Sequence, residues 1–211
     1  PVSLEGTQTD AKPIQLDNGN TLVIYYQYTD DSRAGTLGRI YDAKGLPLGG
    51  TFVITSNGVL ADVTVVSGGV FVASELAFGS GQAGVSGVFI SNSGVVTVPE
   101  FAVASAGEQV QTCTLSNGDV AVVWRVDNAG ASKLLGRIYS SSGTPKTDAT
   151  ELASFSDAGT LNGIYGANRE LDIAAGANDQ LIVSWNAPGD GGGTGVYART
   201  FAANLTPATS A

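Results

Sequence analysis

Histidine is absent from these 211 residues, and cysteine occurs once. Without histidine the chain lacks the commonest general base, the nucleophile–histidine triads and most zinc sites. A single cysteine, Cys113, cannot close an internal disulfide. Within the apolar-alternating run 110–115 it reads as a small buried hydrophobe rather than a reactive thiol. Basic residues are scarce as well. Ten Lys and Arg face 19 Asp and Glu, for a net charge of −9 and a pI near 4.2. That balance excludes the basic face a nucleic-acid partner demands. No apolar run approaches the roughly 20 residues of a membrane helix, so no membrane insertion is expected. The first residues carry neither the charged nor the apolar region of a signal peptide. Pro1 fits a processed native start or a piece of a longer chain.

What the chain has is a repeat. Residues 16–26 (LDNGNTLVIYY) match 115–125 (LSNGDVAVVWR), and each is followed by the same second motif, LGRIYD at 37–42 and LGRIYS at 135–140. Fainter copies read VSGGVFVAS at 66–74 with GVFIS at 87–91, and ANDQLIVSW at 177–185 with ARTFA at 198–202. Aligned on the turn glycine, Tyr25, Ser74 and Trp124 share one position, spaced by 49 and 50 residues, and Trp185 follows after 61. A fixed period in this range signals a repeat architecture.

Each repeat contains four short runs rich in Val, Ile, Phe and Tyr, bounded by Gly, Asn, Asp or Ser, which is the pattern of strands and hairpin turns. In repeat two the expected strands are 62–66, 70–76, 85–91 and 101–104. Four antiparallel strands per repeat of about 50 residues is the pattern of a β-propeller blade. The expected fold is therefore all-β, a four-bladed β-propeller with repeats near 12–56, 57–105, 106–154 and 155–211. The fourth repeat ends after its third strand, near Ala203, whereas an orphan apolar segment, residues 2–4, precedes the first. The N-terminal strand is expected to complete the last blade and close the ring, which would remove an exposed sheet edge. A partial ring or an open solenoid is the competing arrangement.

The string at 38–53, GRIYDAKGLPLGGTFV, with the preceding Asn-Gly turn and apolar run ending in an aromatic, resembles the propeller-type repeats of large bacterial surface and RTX-type secreted proteins. Similar repeats are expected in phage structural proteins. The match covers 16–55 and 115–145 well and 181–205 fairly, and is poor in repeat two, where Ser74 replaces the aromatic and Val88 the arginine. The resemblance implies a non-catalytic module displayed on a cell or virion surface, used in adhesion or as a spacer. It transfers no ligand residues.

Candidate sites follow from where the repeat recurs and where it fails. Tyr25, Trp124 and Trp185 are expected to fill the wedges between blades, although an aromatic there also suits a sugar platform. Arg39, Arg137 and Arg199 recur and are expected to stack on aromatics or pair with carboxylates. Asp10, Gln109 and Glu170 fall nine residues before their turn positions and are expected to enter the innermost strands. Asp30, Asp31, Asp127 and Asp190 lie on loops of one face and offer oxygen ligands suited to calcium. None has calcium-loop spacing, and turn chemistry accounts for them equally, so no cofactor is expected. The insertion 155–168 breaks the symmetry, and elaborated loops on rigid scaffolds carry binding. It makes Asp157, Asn162, Tyr165, Asn168, Arg169 and Glu170 the leading binding candidates. The favoured function is a non-enzymatic, extracellular recognition or structural module that binds protein or glycan and is able to assemble into oligomers. The alternatives are a lectin and a glycan hydrolase using channel carboxylates.

Overall fold

A computed structural model describes residues 7–29, 32–56, 58–76, 84–128, 131–156, 170–188 and 194–208. The fold is all-β, built from four propeller blades. The chain forms two compact units, Pro1–Ser105 and Ala106–Ala211, with two blades in each.

Blade 1 is the meander β1 (Thr7–Gln15), β2 (Thr21–Thr29), β3 (Ser32–Tyr41) and β4 (Phe52–Thr55). Blade 2 follows as β5 (Gly58–Val66), β6 (Gly69–Leu76), β7 (Val85–Ser91) and β8 (Val96–Ala104). Its first and last strands are longer than the sequence pattern implied. The pairing of β7 with β8 shifts register three times, and such bulges disturb the strict alternation by which a strand is read. Blade 3 comprises β9 (Glu108–Thr114), β10 (Val120–Asn128), β11 (Ala131–Tyr139) and β12 (Thr150–Ser156). Blade 4 has three described strands, β13 (Leu171–Ala175), β14 (Leu181–Pro188) and β15 (Thr194–Phe201). Among the described residues β15 pairs only with β14. The segment expected to complete this blade, residues 2–4, lies outside the described residues.

The first hairpin of each repeat turns on a left-handed residue. Gly19, Gly68 and Gly118 hold φ of 84°, 77° and 83°. In blade 4 the turn is made by Asn178 and Asp179, at φ 59° and 58°, and short polar side chains tolerate that conformation better than most. A second recurrence was not anticipated. Asp10 in β1 and Gln109 in β9 also have positive φ, 56° and 53°, at bulges where each innermost strand shifts register.

Each unit buries its own core between its two blades. In unit 1, Leu22, Ile24 and Ile40 of blade 1 meet Val70, Val72 and Ile90 of blade 2. In unit 2, Ala121, Val123 and Leu134 of blade 3 meet Leu181, Val183 and Phe201 of blade 4. Burying each large aliphatic side chain is worth about 1.5–3 kcal/mol. These faces therefore outweigh the surface polar contacts in holding blade to blade. Polar clasps add orientation at the hairpin turns. Asp17 of blade 1 accepts from the Gly68 N–H at 2.8 Å and from the Asn92 amide, both in blade 2. In unit 2 the polarity reverses: Asp179 of blade 4 accepts from the Ser116 N–H at 2.6 Å and its hydroxyl at 2.7 Å.

Candidate functional site

Most of the residues singled out as binding candidates, Asp157, Asn162, Tyr165, Asn168 and Arg169, lie outside the described residues. Glu170 stands exposed directly before β13, and its carbonyl accepts from the Asn186 N–H at 3.0 Å. Asp10 is also exposed, with its carboxylate held by the neighbouring Thr9 hydroxyl at 2.9 Å.

Of the calcium candidates, Asp30, Asp31 and Asp190 lie outside the described residues, and Asp127 is engaged otherwise. Arg125, only 2% exposed, donates from Nε to Asp127 at 2.6 Å. Ser132 donates to the same carboxylate oxygen at 2.6 Å and accepts from Arg125 at 2.8 Å. The guanidinium also lies 5.1 Å from the Phe155 ring centre. Burial pushes Asp127 upward, but hydrogen bonds from Ser132 and Arg125, the one it shares with Glu108 and the Arg125 charge outweigh it, so its pKa is lowered overall. The carboxylate of Asp127 is thus taken up by a guanidinium and a hydroxyl. Among the described residues no cluster of three or more potential metal-ligating side chains is present.

The repeated aromatics divide. Trp124 is 1% exposed and fills the core as expected, with its indole N–H sealed from water and without an acceptor. Trp185, at the same repeat position, is only partly buried. The β14–β15 register sets Trp185 opposite Tyr197 and Val183 opposite Arg199, so the period of two places all four on one face. The Trp185 and Tyr197 rings stack with centres 6.1 Å apart and planes at 18°. They line a groove of about 670 Å³ whose far wall is 151–154 of blade 3. Two charged residues line it, Glu151 and Arg199. Lys133 donates to Glu151 at 2.7 Å, and with a second hydrogen bond from Ser154 it draws the Glu151 pKa down. Two of the three recurrent arginines stack as anticipated: Arg39 lies over Tyr41 and Arg199 over Phe201, each 5.7 Å from the ring centre, whereas Arg137 donates to the Tyr139 hydroxyl at 3.4 Å.

Blade 1 carries a related groove of about 470 Å³, lined by Tyr25, Arg39 and Tyr41 together with Thr9 and Asp10. There the Tyr25 hydroxyl is tied to the Thr51 hydroxyl at 3.3 Å. Sequence register alone does not separate Trp185 from Trp124. The signal that repeat four departs from the others is its longer spacing, 61 residues from Trp124 to Trp185 where the other copies are 49 and 50 apart.

No family model and no curated protein matches this sequence. Solved structures do share its fold. A protein of unknown function from Dyadobacter fermentans superposes with a TM-score of 0.61 at 13% identity, over 96% of this chain and 62% of that one. A Hadza microbial sialidase gives 0.56 at 9% identity, over 94% and 45%. An α-L-arabinofuranosidase from Podospora anserina, in complex with cellotriose, gives 0.51 at 10% identity, over 93% and 64%. The chain spans less than two thirds of each of these structures. At such identities the likeness establishes the β-propeller fold and nothing finer.

Proposed function

We propose that this protein is a non-enzymatic, surface-displayed glycan-recognition module, and that the groove of blade 4 holds the sugar. The observation that carries the reading is the divergence of two tryptophans in one register. Trp124 is sealed in the core, and Trp185 is half open and stacked with Tyr197, which is 38% exposed. Aromatic residues pair a large apolar face with a polar handle, which suits wet interfaces, and sugars offer matching apolar ring faces. Glycan handling by propeller relatives, the sialidase and the arabinofuranosidase, supports the class of ligand. Hydrolysis by the channel carboxylates is the alternative, and turnover of a polysaccharide that is lost in Glu170→Gln would favour it over recognition.

Intrinsic fluorescence tests the proposal cleanly. Trp124→Phe removes a buried N–H that has no acceptor and leaves Trp185 as the sole emitter. Glycans that bind should then change the emission, and Trp185→Ala should abolish their binding on an array while the fold survives. Binding that persists in Trp185→Ala would place the site elsewhere.

A further inference from the structure

We infer that the blade 4 groove selects an acidic sugar, one bearing a carboxylate as uronates do, and that Arg199 is the residue that reads the acid. The inference rests on the groove being the glycan site proposed above.

Charge pairing separates the two charged residues of the groove wall. Glu151 is satisfied by Lys133. Arg199 has no carboxylate partner among the described residues. Its guanidinium lies over Phe201, and its Nε is sealed from solvent with no acceptor. Stacking fixes the plane of the group and offsets part of the desolvation. The stack and the sealed Nε recur at Arg39 and so belong to the repeat; what is particular to Arg199 is its place in a groove whose acid, Glu151, is already paired. Arg199 lines the groove, and a planar carboxylate is the geometric match of a guanidinium fork.

Spacing supports the same assignment. Tyr197 and Arg199 are two residues apart on one strand face, about 7 Å along β15. A single sugar ring laid on Tyr197 and Trp185 therefore brings a ring substituent to the guanidinium. The related groove of blade 1 repeats part of this combination, since Arg39 stacks on Tyr41 with its Nε likewise sealed and without an acceptor. But the acid of that groove, Asp10, is held by a neutral hydroxyl, that of Thr9, whereas Lys133 holds Glu151. A carboxylated ligand would be repelled there.

The test compares uronate oligosaccharides with their carboxyl-reduced forms, which keep the same rings and linkages and lose only the charge. Binding is followed calorimetrically and by the Trp185 emission in the Trp124→Phe background. The acidic form should bind about tenfold tighter or better, a difference expected for a charge-assisted pair. Arg199→Gln should erase that preference, and Arg199→Lys should restore only part of it because the fork is lost. Trp185→Ala should weaken both forms alike. If acidic and reduced forms bind the native protein equally, the role of Arg199 is overturned while the aromatic platform stands. If neither form binds or moves the Trp185 emission, the platform itself fails and the inference with it. The native comparison needs no variant, so it decides the matter even where Arg199→Gln folds poorly.

Discussion

At the scale of single residues, burial overrides backbone preference in one instructive place. The turn after the third strand of each repeat uses a left-handed residue, and three repeats use glycine: Gly45, Gly94 and Gly143 have φ of 80°, 82° and 77°. The fourth uses Leu205 at φ 68°. A left-handed leucine costs about 1–2 kcal/mol. Leu205 is nevertheless fully buried, and it fills the space beside Gly136 that Leu152 leaves open. Burying a leucine is worth about 1.5–3 kcal/mol, and the observed conformer shows that burial wins. Leu205→Ala should therefore destabilise unit 2 by about 2–5 kcal/mol, read as a shift in the denaturant midpoint. Leu205→Gly should cost no more than Leu205→Ala, because glycine relieves the strain that alanine keeps. At an ordinary buried site the alanine variant is the more stable, so finding that order here would refute the account of the turn.

Between elements, the hairpin clasps make the contact of blade with blade sensitive to acid. Hydrogen bonds from Gly68 and then Asn92 hold Asp17 below the ordinary aspartate value, and those from Ser116 do the same for Asp179. Because both carboxylates are depressed in the folded state, their contribution is complete above the unfolded value near 3.8. It is lost as pH falls through the lower folded value. Asp17→Asn with Asp179→Asn keeps an acceptor at each turn and removes the charge. The double variant should lose less melting temperature than the native protein when pH is lowered from about 5 to 2. Parallel melting curves across that range would show that the clasps are too solvent-exposed to matter. Neither clasp was legible in the sequence, because each joins residues 51 or 63 positions apart and the acid sits on opposite partners in the two units. The strands were legible, because turn residues with positive φ recur at a fixed period around runs of alternating apolar residues. The candidate groove was half legible. The longer spacing of repeat four was visible, but the wall supplied by 151–154 is a contact between repeats, and no pattern within one repeat reports it.

For the molecule as a whole, composition and site pull in opposite directions. The chain carries a net charge of −9, yet its candidate groove presents Arg199, a cation without a carboxylate partner among the described residues. The two act over different ranges. The Debye length is about 30 Å at 0.01 M salt and about 8 Å at 0.15 M, so dilute buffer lets the entire acidic surface act on an approaching anion. Contact with Arg199 is made only after encounter, in a half-buried position that salt screens less. Net repulsion should therefore govern the association rate, and the guanidinium should govern how long the complex lasts. Stopped-flow measurements on the Trp124→Phe protein separate these effects. Raising salt from about 0.01 to 0.15 M should speed association of a uronate oligosaccharide and leave its carboxyl-reduced form unaffected. Arg199→Gln should chiefly quicken dissociation of the acidic form, with the sign of the salt effect on association unchanged. Association of the uronate that slows as salt rises would mean that the field at the groove is positive. The acidic surface would then be remote from it, and steering of the anion, rather than retention by one arginine, would be the origin of selectivity.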